Sequence, residues 1–255
     1  MLDFLDLPER SVKPRPCGIT HVIDRGMGLN ALEDILDTCS EFIDIVKLGW
    51  GTGYVTRTHT LKAKIDAYKT AGIPVCFGGT LTEVVLVQGK LEAYRDVLFE
   101  LGITHVEVSS GVVDLSIKAK AVIIRQLALN FVVLSEVGSK DVDAVVAPYR
   151  WANEIESDLE AGAWKVIMEA RESGTVGLYR STGEVRMGLV EEIVSRVPPT
   201  SLIFEAPQKA QQVWFIEQFG SNVNLGNIAS DDVIPLETLR LGLRGDTLGM
   251  FHLKG

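Results

Sequence analysis

Eight short apolar runs of β character, each followed by a helical stretch, recur along the chain at roughly 20 to 37 residues per unit. Parallel strands need long crossover connections, so this alternation predicts βα units on a parallel sheet, and eight units favour a single closed (β/α)8 TIM barrel over an open sheet. The runs are CGITHVID, FIDIVKLGWGTG, IPVCFGGTL, THVEVSSG, FVVLSEVGSK, WKVIMEARESG, SLIFEAPQ and NVNLGNI. Helical patterns lie between them, with Asn30 as the expected N-cap of the first, Gly72 as the C-cap of the second, and LETLRLGLRGD as the last. At 255 residues the chain suits one domain: residues 1–16, with three prolines, read as an N-terminal arm, and 17–255 as the barrel.

In a barrel of this kind chemistry sits at the C-terminal ends of the strands. Period-2 reading of the fifth run puts Val132, Leu134 and Glu136 on one face, so an apolar strand ends by pointing an acid the same way; Gly138 then turns the chain and Lys140 follows. Glu107, Glu169 and Glu205 end three other runs in the same manner. Four such exits suggest one shared rim, and burying several carboxylates together is costly unless cations, a metal or a substrate compensates them. Asp24 is expected on that rim with Arg25 beside it, and Lys47 stands between Val46 and Leu48 in an apolar run.

Arg25, Lys47, Lys140, Arg171 and Lys209 all fall at or just past strand exits, an arrangement that suits a small polyanion although the whole chain carries a net charge of −9. That acidity, with no basic run, argues against nucleic acid as a partner. If the rim holds a metal, oxygen-only ligands from different strands point to Mg²⁺ rather than zinc. His105 shares a face with Glu107 one layer deeper and reads as a core histidine; His21, of opposite parity to Asp24, is expected to face the helices. Cys17, Cys39 and Cys76 form no metal or disulfide pattern. The loops Gly49 to Gly53, Gly78 to Thr80 and Arg171 to Gly174 offer backbone N–H groups to an anion, and the last adds a guanidinium and the Ser173 hydroxyl. With no signal peptide and no run of about 18 apolar residues, the expected location is the cytoplasm, away from any membrane.

The segments VKLGWGTG, GGTLTE, EVSSG, EVGSK, ARESG, FEAPQKAQQ and LRLGLRGDT, in this order and spacing, resemble the phosphosulfolactate synthase family over nearly the whole chain. The resemblance implies Mg²⁺-dependent addition of sulfite to phosphoenolpyruvate, giving (2R)-3-phosphosulfolactate on the route to coenzyme M. It also implies that Lys140 is the acid, with Lys47 a neighbouring cation able to lower its pKa. Glu107, Glu136 and Glu169 are then the expected metal ligands, with Asp24 and Glu205 in reserve. Arg25, Lys47, Arg171, Ser173, Gln208 and Lys209 are the expected anion contacts, and a homo-oligomer is implied.

The chain departs from the family pattern at Ser109-Ser110-Gly111, where SDG is typical, at Val84 to Val87 in the expected loop after strand three, at Gly53 in place of Ser, and at Arg25 in place of Lys. Two other readings stand beside the first: an enol-phosphate lyase with a different nucleophile, and a stress-associated binding protein without catalysis. Lys140 among carboxylates favours an enzyme. The aliphatic run VVLVQ at 84–88 is the expected apolar contact surface between subunits.

Overall fold

The structure is a computed structural model and describes residues 4–113, 115–138, 147–170 and 173–253. The strands are β1 (Thr20–Asp24), β2 (Ile45–Leu48), β3 (Val75–Phe77), β4 (His105–Val108), β5 (Val132–Val137), β6 (Ala163–Met168), β7 (Leu202–Glu205) and β8 (Leu225–Ala229). Between and after them run α1 (Leu29–Cys39), α2 (Thr52–Val55), α3 (Thr58–Thr70), α4 (Gly79–Val87), α5 (Leu91–Leu101), α6 (Ile117–Ala128), α7 (Pro148–Glu160), α8 (Met187–Val194), α9 (Lys209–Phe219), α10 (Val233–Arg240) and α11 (Gly245–His252).

All ladders are parallel and run in the order β3-β2-β1-β8-β7-β6-β5-β4, so β1 pairs with both β2 and β8 and the sheet curls into the expected (β/α)8 barrel. β3 and β4 lie against one another at the remaining seam. Side chains tie that seam: the Gly79 N–H donates to Glu107 Oε2 (2.9 Å), and the Thr82 hydroxyl donates to the Glu107 carbonyl (2.7 Å).

Two apolar layers follow from strand parity. The outer one, between sheet and helices, includes Val22, Val46, Val106, Val133 and Phe204; the inner one, filling the barrel, is Ile19, Ile45, Cys76, Leu134, Ile167 and Ile203. The arm is fastened across the fold by Arg10, whose guanidinium pairs with Glu237 (2.8 Å) and donates to Asn222 Oδ1 (2.6 Å) and the Gly18 carbonyl (3.1 Å). No helix among the described residues is long and apolar enough to cross a membrane.

Several expectations are corrected. α1 starts at Leu29 with Gly28 as N-cap, so Asn30 lies inside the first turn, because Leu29 packs on the core. Ala71, not Gly72, is the C-cap of α3, and Gly72 follows with φ 69°, the left-handed geometry that glycine supplies without strain. Val84 to Val87 are not a loop: they belong to α4, which opens at the glycine pair where strand three was expected to run on. β1 is reversed in its facing. Asp24 turns outward to the helices, held by Lys64 Nζ (2.6 Å), the Tyr68 hydroxyl (2.9 Å) and the Gly26 and Met27 N–H groups, while His21 turns inward.

Candidate active site

Above the inner apolar layer, β2, β4, β5 and β7 and the residue just past β6 each point one charged side chain into the barrel: Lys47, Glu107, Glu136, Glu205 and Glu169. Lys47 is the hub. Its Nζ lies 3.2 Å from Glu205 Oε1, 3.4 Å from Glu136 Oε1 and 3.7 Å from Glu107 Oε1. Burial opposes the ammonium, but Glu107, Glu205 and Glu136 outweigh it and hold the Lys47 pKa well above its ordinary value.

Glu107 sits deepest. Burial alone would raise its pKa; Lys47, His21 and the Gly79 N–H reverse that and bring it from 4.5 to about 2. His21 Nε2 lies 3.1 Å from Glu107 Oε1, and the Cys76 thiol donates to the same oxygen at 3.7 Å. Burial, then Glu107, pushes the Cys76 thiol well up, so it stays protonated. Glu205 is held by the Ala170 N–H on Oε2 (2.8 Å).

These groups form the floor of a cavity of about 210 Å³ at the C-terminal mouth, lined by Lys47, Glu136, Glu169, Glu205 and Asn227 with the turns Gly49 to Gly51 and Gly78 to Leu81. Close packing explains two glycines here. A Cβ on Gly79 would lie 2.6 Å from Ser109 Cβ and run into the Glu136 carboxylate, and one on Gly53 would meet Phe77 Cδ1 at 2.5 Å.

The structure brings together Lys47, Glu136 and Glu169 as expected, and adds Glu205, a reserve choice, to the cavity wall. Glu107 lies beneath and is committed to protein partners. Asp24, the other reserve ligand, is outside the barrel. Arg25 is exposed, its guanidinium 5.4 Å over the ring of Trp50, which lines the mouth. Ser173, Gln208 and Lys209 do not line this cavity. Ser173 pairs with Thr175 (2.8 Å), Gln208 caps α9 and donates to the Ser173 carbonyl (2.6 Å), and Lys209 pairs with Asp246 (2.9 Å). Lys140 and Arg171 lie outside the described residues.

Among the described residues three carboxylates, Glu107, Glu136 and Glu205, meet Lys47 at this site, and Glu169 lines the cavity beside them. The cavity's donors are all oxygen, which suits a hard divalent cation, and the Asn227 Oδ1 among them is buried without a hydrogen-bond partner among the described residues. His21, Cys76 and Glu107 also bring donor atoms within 4.8 Å of one another, but the Lys47 ammonium already faces Glu107 there, so positive charge is supplied from within.

A parallel barrel with an acid-walled, lysine-centred cavity at its C-terminal mouth is the frame of a TIM-barrel enzyme acting on small molecules. The sequence profile of the (2R)-phospho-3-sulfolactate synthase (ComA) family matches residues 8–246. Phosphosulfolactate synthase of Methanothermobacter thermautotrophicus is 43% identical over 256 residues, covering 98% of both chains. The protein of the same name from Bacillus subtilis is 45% identical over 251 residues, covering 97% of this chain and 99% of that one. The chain belongs to this family. A solved 3-hexulose-6-phosphate synthase superposes with a TM-score of 0.56 at 17% identity, over 87% of this chain and 98% of that one, which shows the shared fold alone.

Asn227, Trp50 and Glu83 were missed by sequence reasoning. Glu83 is buried in α4 and accepts from the Ser109 hydroxyl (2.8 Å) and the Val112 and Val113 N–H groups (2.9 and 2.6 Å), so it shapes the turn after β4. The glycine before Asn227 was the one available signal for a special backbone there.

Proposed function

We propose that this protein adds sulfite to phosphoenolpyruvate to give phosphosulfolactate, with Mg²⁺ held by Glu136 and Glu169 and supported by Glu205. The observation that carries this reading is the cavity wall of three carboxylates around a pinned lysine, in a chain of the family that bears the activity's name. When bound, the cation stabilises negative charge developing on the substrate carboxylate. The sulfur lone pair of sulfite forms a bond to the methylene carbon; the π electrons move toward the carboxylate; the adjacent carbon takes a proton, and the phosphate ester remains.

Lys47 is not the proton donor in this scheme. Three carboxylates hold it as an ammonium, so its role is to fix Glu136 and Glu205 in place. Lys140 is assigned as the acid on the strength of the family resemblance, and Arg171 as an anion contact. In this reading Arg25, whose guanidinium lies over the Trp50 ring at the mouth, meets the arriving oxyanion. The place in coenzyme M synthesis, the cytoplasmic location and self-association belong to the same reading. Val84 and Val87, exposed on α4, are the apolar surface where a second copy would pack.

Phosphorus-31 NMR of the protein with phosphoenolpyruvate, sulfite and Mg²⁺ tests the reaction. A new phosphoester resonance that requires both sulfite and metal is expected; an unchanged spectrum from folded protein removes the assignment. Lys140→Ala should abolish that resonance while the melting temperature stays put.

A further inference from the structure

Among the described residues only two non-glycines hold left-handed backbone, Trp50 (φ 55°) and Asn227 (φ 53°), and both line the cavity above Lys47. Such backbone costs free energy for a side chain with a Cβ and persists where the surrounding structure over-determines it, most often at functional sites. Asn227 is 7% exposed, and its Oδ1 is buried with no hydrogen-bond partner among the described residues. Leaving a buried acceptor unmet is costly, so an orphan of this kind in a cavity wall asks for an occupant.

The chemistry of the atom narrows that occupant. An amide oxygen only accepts, so it is satisfied by a donor or by a cation. Fully ionised phosphoryl, carboxylate and sulfite oxygens are acceptors themselves and do not fill the need. A hydrated divalent cation can, directly or through one of its waters. The neutrality of the side chain fits the place as well, since Glu136, Glu169 and Glu205 already crowd the wall with negative charge. We infer that Asn227 is a cation-binding residue, its carboxamide oxygen contacting the divalent ion or its water shell beside those carboxylates. The inference rests on the metal-dependent reading above. It extends that reading to β8, which supplies no charged side chain to the site.

A residue kept only because asparagine tolerates the left-handed region would behave differently on replacement. Asn227→Gly removes the carboxamide and relieves the backbone, so the variant should melt no lower than the parent. The test is titration of the full chain with Mn²⁺, following the EPR signal of the free ion, on the parent, Asn227→Gly and Asn227→Asp. The expected result is binding by the parent, about tenfold weaker binding by Asn227→Gly at undiminished melting temperature, and retained binding by Asn227→Asp, which keeps an oxygen. Equal Mn²⁺ affinity in the parent and Asn227→Gly would overturn the role of Asn227 while leaving the metal in place. A higher KM for phosphoenolpyruvate in Asn227→Gly at unchanged Mn²⁺ affinity would also overturn it, in favour of a substrate contact. Loss of binding in Asn227→Asp to the level of Asn227→Gly rejects an oxygen ligand. No binding by the parent removes the metal reading itself, and this inference with it.

Discussion

His105 and His21 both point into the barrel from neighbouring depths, yet their surroundings differ. His105 stands at the N-terminal end of β4, its Nδ1 2.9 Å from the Thr104 hydroxyl and its ring edge-on to Trp164 at 6.1 Å. Burial, with a smaller contribution from His21, depresses its pKa from 6.5 to about 4. The native state therefore holds a neutral imidazole at pH values where an unfolded chain would already be protonated. The stability this represents is complete above pH 6.5 and is lost as pH falls toward 4, by about 3 kcal/mol at the full shift. His105→Phe keeps the ring and cannot titrate. Urea denaturation at pH 7 and pH 4.5 should show a smaller loss in that variant than in the parent; an equal loss would assign the acid sensitivity to other groups. Lys47 is the opposite case, a buried charge kept by its partners.

At the scale of elements, α4 is the piece on which the site is assembled. Its first residues wall the cavity, its leading N–H fixes Glu107, and Glu83 within it orders the turn after β4. Gly79→Ala should push Ser109 and the Glu136 carboxylate aside. The expected cost is about 1 to 3 kcal/mol of stability, read by urea denaturation, together with loss of turnover. Stability and turnover both equal to the parent's would mean that the helix start shifts freely. The four glutamate exits were legible because a strand's period-2 pattern carries the apolar face straight on to the acid. The same rule misfaced β1, since a strand buried on both sides has apolar residues on each, Ile19 and Ile23 inward and Val22 outward, and parity alone does not say which side is the interior. Ser173, Gln208 and Lys209 lie in loops or at a helix start, where no periodicity fixes direction, and local partners claim them. The left-handed backbone of Asn227 is set by tertiary packing, and only Gly226 before it and the asparagine itself hint at it in the sequence.

For the molecule as a whole, carboxylates gathered at one mouth repel one another in the folded state as they do not in the unfolded chain, where charges are dispersed in water, and Lys47 compensates part of that repulsion. A cation bound there offsets repulsion only in the native state, so binding must appear as stability. At a hundredfold excess over its dissociation constant, Mg²⁺ should add about 2.7 kcal/mol, which for a chain of this size is a rise of roughly 5 to 10 °C in melting temperature. The rise should disappear with EDTA. Glu136→Gln/Glu169→Gln should remove the response, giving the same melting temperature with and without Mg²⁺, while Lys47 keeps Glu107 and Glu205. Calorimetric scans of parent and variant with and without Mg²⁺ separate the possibilities. A parent that ignores Mg²⁺ would place the cation elsewhere, and a double variant that still responds would move it away from Glu136 and Glu169. A double variant that melts below the parent without metal measures what the Glu136–Lys47 pair and the other contacts of these two carboxylates contribute to the barrel mouth, separately from the ion.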